Sequence, residues 1–191
     1  MKKTAPLVCG CGNGSRRPAG FSRIELAAGL IAPQCDACHG VALKLDDYLD
    51  WRQQHFAELP AIEPAPFPGR EVPSRARTCP ACGVLMARYR TGDAQSFWLD
   101  FCPACRLVWL DDGEWQALQT HGLAPYLDTI LSDAWQKGIQ ARRASHWQEE
   151  LLRARFGEET LTEIRRIQTW LATQPAAKRR DIVQFLGQSD R

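Results

Sequence analysis

Eight cysteines, at positions 9, 11, 35, 38, 79, 82, 102 and 105, constrain this 191-residue chain more than any other feature. All fall within the first 105 residues, each in a close pair, and none is left over. In a secreted protein an even count would read as a disulfide framework. Here Met1-Lys2-Lys3-Thr4-Ala5-Pro6-Leu7-Val8 starts basic but has no apolar stretch of signal-peptide length, so a reducing, cytoplasmic setting is expected. In that setting paired thiols point to metal binding.

Zinc in a structural site takes four tetrahedral ligands, commonly thiolates. A C-x2-C turn supplies two of them, because its backbone curls both sulfurs toward one point. Glycine just past the second cysteine, as at Gly83, tolerates the positive φ of such a turn, and Gly12 follows Cys11 in the same way. Cys79 and Cys82, 19 intervening residues, then Cys102 and Cys105 make a zinc pattern. Cys9 and Cys11 enclose one residue and stand 23 residues before Cys35 and Cys38. That set is expected to bind a second zinc, with His39 as the alternative ligand should one cysteine be badly placed. Two zinc ions are therefore the expected cofactors, held by all eight cysteines.

Composition divides the chain into four parts. Residues 1–55 hold four cysteines and end in a helix-like run, Leu45-Asp46-Asp47-Tyr48-Leu49-Asp50-Trp51. Residues 56–77 carry Pro60, Pro64, Pro66, Pro68 and Pro73, which removes backbone donors and predicts a semi-extended linker. Residues 78–121 hold the other four cysteines. From 122 to 191 the apolar spacing becomes helical. Helices are expected around Leu127–Gly138, Trp147–Phe156 (stopped by Gly157), Leu161–Leu171 (stopped near Pro175) and Ile182–Leu186 (stopped by Gly187). An internal repeat links the first and third parts. Cys35-Asp36-Ala37-Cys38-His39-Gly40-Val41-Ala42-Leu43 aligns with Cys102-Pro103-Ala104-Cys105-Arg106-Leu107-Val108-Trp109-Leu110 at an offset of 67, and acidic residues and a tryptophan (Trp51, Trp115) follow each.

Around the second set, Leu85, Met86 and Tyr89, then Phe97 to Phe101, read as strands about a turn at Thr91-Gly92-Asp93. Leu107 to Leu110 reads as a third strand, and Asp111 or Asp112 is expected to cap a short helix carrying Glu114, Trp115 and Leu118. The fold class expected is α+β: two small zinc-ribbon β modules followed by an α-helical tail. Residues 79–118 resemble the bacterial transcription factor IIB-type zinc-ribbon family, whose pattern is C-P-x-C-x2-L, then C-P-x-C-x3-W-L-D-x-G-E. Cys79, Pro80, Cys82, Leu85, Cys102, Pro103, Cys105, Trp109, Leu110, Asp111, Gly113 and Glu114 match it, and Arg106-Leu107 stands where the family often has glycines. Residues 9–51 resemble a degenerate second copy, with Ala42 and Lys44 in place of the Trp and Asp. The resemblance implies zinc binding and a link to transcription, with no settled activity.

No catalytic and no further cofactor-binding residues are assigned. Closed four-thiolate shells leave zinc no open position, and His39, His55, His121 and His146 share no ligand spacing. Asp111, Asp112 and Glu114 are read as helix-start carboxylates. No small-molecule substrate and no membrane partner is expected, since no apolar run approaches the ~18–20 residues a spanning helix needs. A net charge of +2 does not by itself imply nucleic-acid binding. The reading favoured is a non-catalytic adaptor or regulator with a protein partner. Trp135, Trp147 and Trp170 are candidate anchors, although at least two of them are expected to pack against the tail itself or the ribbons. DNA or RNA is the alternative partner, through Ser15-Arg16-Arg17, Arg75 with Arg77, Arg142-Arg143, Arg165-Arg166 and Lys178-Arg179-Arg180. Arg165 and Arg166 also fit a mixed solvated face with Glu158, Glu159 and Glu163. A third reading, a thiol redox switch, rests on the C-x-C…C-x2-C order, which resembles the zinc switch of the redox-regulated heat-shock chaperones.

Overall fold

The computed structural model describes residues 6–11, 19–56, 76–92 and 96–188. Most of the expected proline-rich linker, together with Gly12, the Ser15-Arg16-Arg17 cluster, Arg75 and Asp93, lies outside the described residues. The chain divides into two compact units between Arg143 and Ala144.

The first unit is built on one six-stranded antiparallel sheet. Its strands are β1 (Phe21–Ala27), β2 (Leu30–Cys35), β3 (Val41–Lys44), β4 (Ala87–Arg90), β5 (Trp98–Cys102) and β6 (Leu107–Leu110), in the order β1-β2-β3-β6-β5-β4. Each cysteine repeat supplies three consecutive strands, and the seam between the repeats is β3 against β6. There Val41 faces Leu110, Ala42 faces Trp109 and Leu43 faces Val108. The sequence repeat matches 41 with 108, 42 with 109 and 43 with 110. The pairing is thus centred on Ala42 and Trp109, and the two halves are related by an approximate two-fold axis through that pair.

The pleat sends alternate side chains to opposite faces. Val41, Leu43, Val108 and Leu110 join Leu26, Leu30, Ala32 and Leu99 on one face. Helices α1 (Leu45–His55) and α2 (Glu114–Thr120) follow the third strand of each half and cover that face. Trp51 and Trp115 meet edge to face with ring centres 6.0 Å apart, and both indole N–H groups donate to backbone carbonyls, of Ala28 and Leu26. A 3-10 turn (Ala124–Tyr126), α3 (Leu127–Ile130) and the start of α4 (Asp133–Phe156) complete the core with Leu127, Ile130, Trp135 and Ile139. Tyr48 anchors this stretch: its hydroxyl donates to the Ala124 carbonyl and accepts from the Leu127 N–H. Arg52 adds a two-pronged contact to Asp128 at 2.7 Å. The opposite face carries Ala42, Leu107 and Trp109 among the cysteines.

Two expectations change here. The cysteine modules are not separate, because β3 and β6 fuse them into one sheet. The helical segment does not begin as an independent tail at 122, since residues up to Ile139 pack into the core of the sheet. Trp135 is buried there, whereas Trp147 and Trp170 are 67% and 50% exposed, so only one of the three tryptophans packs inside.

The second unit holds the rest of α4, α5 (Glu158–Ala172) and α6 (Ala176–Leu186). Gly157 ends α4 with φ +74 and ψ 166, a backbone region open essentially to glycine. Among its described residues Leu161 is the only buried one.

Candidate metal centres

The sheet brings the eight cysteines together as two sets of four. Cys9, Cys11, Cys35 and Cys38 form one, and Cys79, Cys82, Cys102 and Cys105 the other, with the sulfurs of each set all within 4.8 Å of one another. Each set joins a pair on the turn between the second and third strands of its half to a pair from the preceding segment. Cys35 and Cys102 end β2 and β5, and Cys38 and Cys105 lie in the turns that follow.

Backbone hydrogen bonds curl these turns. The Cys35 N–H donates to the Gly40 carbonyl at 2.8 Å and the His39 N–H to the Cys35 carbonyl at 2.9 Å. In the 79–82 turn the Cys79 N–H donates to Val84 and the Gly83 N–H to Cys79, both at 2.8 Å. The residue after the second cysteine takes positive φ in all three C-x2-C turns: His39 at 57°, Gly83 at 74° and Arg106 at 48°. Sequence reasoning anticipated this at Gly83. Arg106, where the family it resembles often has glycine, adopts it regardless. His39 serves the first set as this turn residue and lies outside the four thiols.

Sulfur spacing tests the fit to a metal. Four thiolates at ~2.3 Å around a tetrahedral zinc stand about 3.8 Å apart. The observed separations are 3.6 Å for Cys9–Cys38, 4.0 Å for Cys11–Cys35 and 3.7 Å for Cys82–Cys102. Disulfide sulfurs would be ~2.05 Å apart. The spacing is that of ligands around a shared ion, and both sets fit one.

The Val84 N–H, then the Cys105 thiol, lower Cys82 to about 7, while donation to Cys82 pushes Cys105 up to about 12. Burial alone would raise Cys35, yet the N–H groups of Ala37 and Cys38 lower it. Burial raises Cys9, Cys38 and Cys79. Each set thus holds one sulfur whose surroundings favour the thiolate, Cys35 in the first and Cys82 in the second. A bound cation would displace the remaining protons.

Trp109 occupies the cysteine face at the two-fold centre. Its indole donates to Asp111 Oδ1 at 2.9 Å, Phe21 meets it edge to face, and the Arg77 guanidinium lies 4.7 Å from the ring centre. Arg77 also binds Asp111 at 2.5 Å. Glu114 Oε2 accepts from the Asp111 N–H at 2.7 Å. The expected helix cap therefore changes: Gly113, with φ +81, starts α2 and no side chain caps it. Asp111 turns instead to Trp109 and Arg77. Burial pushes Asp100 up to about 6 despite Arg88 and Arg77 nearby.

Sequence reasoning missed Gly40 and Lys44. Trp109 covers Gly40 so closely that a Cβ there would fall within the ring's contact distance. Lys44 Nζ donates to the Cys105 carbonyl at 3.0 Å, tying the first half to the second set's turn. The signal was in the aligned repeat, where Gly40, Ala42 and Lys44 stand against Leu107, Trp109 and Asp111. Among the basic clusters, Arg166 pairs with Glu163 and Arg165 with Glu149, forming the mixed solvated face. Lys178, Arg179 and Arg180 make no ion pair among the described residues.

Compared with known proteins, the chain matches no family model, no curated protein and no solved structure. Among the described residues no helix is long and apolar enough to cross a membrane.

Proposed function

We propose that this chain is a non-catalytic zinc-binding adaptor or regulator: two zinc ions build its sheet, and its C-terminal helices engage a macromolecular partner. The observation that carries the metal reading is the pair of four-thiol sets at ligand spacing. Zinc is the natural occupant of an all-thiolate tetrahedral shell, and such a shell leaves no position for an activated water. The two halves are then zinc ribbons joined edge to edge. The partner reading draws on the second unit, where Trp147, Trp170 and Phe185 stand exposed, the last at 73%. Aromatic side chains of this kind anchor protein interfaces. The resemblance of residues 79–118 to transcription factor IIB-type ribbons adds a link to transcription.

Direct nucleic-acid binding is the second reading, favoured by Lys178, Arg179 and Arg180. Elemental analysis of protein purified without added metal tests the first premise, with two equivalents of zinc expected and a value near zero refuting it. Titration with duplex DNA and single-stranded RNA at two salt concentrations separates the partner classes. Phosphate contacts release counterions and weaken steeply with salt. Salt-steep binding would transfer the function to nucleic acid, whereas a protein captured through Trp147 and Trp170 would keep it with the adaptor.

A further inference from the structure

The two thiol sets are not built alike, although the sheet that carries them is nearly symmetric. In the second set the N-terminal ligand pair is built locally. Its first turn is closed by a bridge between Thr78 and Leu85, by Met86 N–H to the Arg77 carbonyl at 2.9 Å, and by the Cys79 and Gly83 bonds. Its other two ligands sit on β5 and in the turn to β6. The turn that carries Cys105 also takes the Leu45 N–H at the Arg106 carbonyl, 2.9 Å, and Lys44 Nζ at the Cys105 carbonyl, 3.0 Å, so it leans on β3 and α1 but not on the segment of Cys9 and Cys11.

The first set differs in one half. Cys35 and Cys38 belong to the hairpin of β2 and β3. Cys9 and Cys11 lie on a segment that belongs to no strand of the sheet. Among the described residues, its one backbone–backbone bond is from the Val8 N–H to the Pro80 carbonyl, at 2.8 Å. Pro80 lies inside the Cys79–Cys82 turn of the other set. Gly10 rests beside the same turn, where an added Cβ would stand 3.4 Å from Thr78 Oγ1. Leu7 packs into the cluster that includes Cys79, Met86 and Trp109. The first set's N-terminal ligands are therefore seated on the second set's turn. The second set takes no backbone contact from them that it needs to form its own shape.

From this asymmetry we propose an order of assembly, which rests on the two-zinc reading above. Zinc at Cys79, Cys82, Cys102 and Cys105 fixes the turn that seats Cys9 and Cys11. The Cys9, Cys11, Cys35 and Cys38 centre then fills second and releases its zinc first. The N-terminal centre becomes the exchangeable one, whose occupancy reports on metal supply or thiol chemistry while the sheet stays built.

The test uses the full-length, zinc-loaded chain and a competing chelator, with alkylation mapped by mass spectrometry. On removal of the first zinc equivalent, Cys9, Cys11, Cys35 and Cys38 are expected to alkylate while the other four stay protected. Simultaneous or reversed exposure would overturn the order. Val8→Pro deletes the single N–H donor and touches no cysteine. It is expected to lose the first equivalent at roughly five-fold lower chelator concentration, the scale of one backbone hydrogen bond. The second equivalent should be unmoved. Val8→Ala keeps the N–H and should stay within about two-fold of the parent chain. A Val8→Pro chain that matches the parent, or a Val8→Ala chain that shifts as far as Val8→Pro, would overturn the seating. A parent chain holding two zinc ions with an unaffected Val8→Pro defeats only the order. A parent chain holding none defeats the two-zinc reading beneath it.

Discussion

Arg106 holds a left-handed backbone immediately after a ligand cysteine, a conformation that glycine adopts at no steric cost. Its compensation is one exposed ion pair to Asp46 at 2.8 Å, and such pairs contribute little. Arg106→Gly is therefore expected to raise the urea midpoint of the zinc-loaded protein, the strain relief being up to about 1 kcal/mol of unfolding free energy before the greater chain entropy of glycine is subtracted. Gly83→Ala imposes the opposite change at the equivalent place, φ +74 with open space around the Cβ, and should cost about 1 kcal/mol. If the two variants moved the midpoint in the same direction, turn strain would not govern either. Glu114 gives a second prediction at this scale. The residue is partly exposed, but its carboxyl is desolvated, and Asp111 and Asp100 add repulsion, so it is pushed up to about 8. A carboxyl raised in the folded state contributes stability below its ordinary value of 4.5, and that contribution is lost as pH rises toward 8. Glu114→Gln keeps an acceptor for the Asp111 N–H and never ionises. The stability of Glu114→Gln relative to the parent should therefore climb between pH 6.5 and 8.5, and a flat difference would refute the shift.

At the scale of elements the decisive contact is the seam of β3 and β6. Gly40 and Ala42 leave room for a single indole at the two-fold centre, and Trp109 fills it. This explains why the first repeat departs from the second at Ala42. A tryptophan on each strand would place two rings in one space. Gly40→Ala should cost about 1–3 kcal/mol in denaturant unfolding, because the new methyl meets a buried ring held by Arg77, Asp111 and Phe21. A change within about 0.5 kcal/mol would mean that the ring is free to move. The cysteine spacing made the two four-thiol groupings legible, since C-x2-C turns form locally. The helix stops at Gly157 and Gly187 were legible for the same reason. The seam was not, because pairing of two third strands is a long-range event with no local turn to announce it. A signal was nonetheless present. Leu107-Val108-Trp109-Leu110 is apolar at every position, and Val41-Ala42-Leu43 nearly repeats this. Strands polar on neither face are central strands, not edges. The helix cap was misread because Asp111 had stronger partners, Arg77 and Trp109, than the α2 backbone.

At the scale of the molecule the two units differ in what holds them. The first has cores on both faces of its sheet and ends its buried residues at Ile139. The second buries one described side chain, Leu161, and leaves Trp147, Leu151, Phe156, Ile167, Trp170, Val183, Phe185 and Leu186 exposed. Its helices are braced by surface ion pairs, Arg153 with Glu149, Glu150 and Glu158, and Arg166 with Glu163. Such exposed pairs contribute little to stability. Helices of 15 and 11 residues, as α5 and α6 are, sit at or below the length at which an isolated helix is stable in water. The units should therefore come apart in stability. A chain truncated after Arg143 keeps all eight cysteines and the whole core, and is expected to retain two zinc equivalents and a thermal midpoint within a few degrees of the full chain. In the full chain, backbone amides of α5 and α6 should exchange with solvent far faster than those of β5 and β6, since few buried contacts oppose local opening. Loss of zinc on truncation, or equal protection of α6 and β6, would show that the second unit supports the first. Slow exchange appearing in α5 and α6 only when a partner is added would place the binding energy where Trp170 and Phe185 stand exposed.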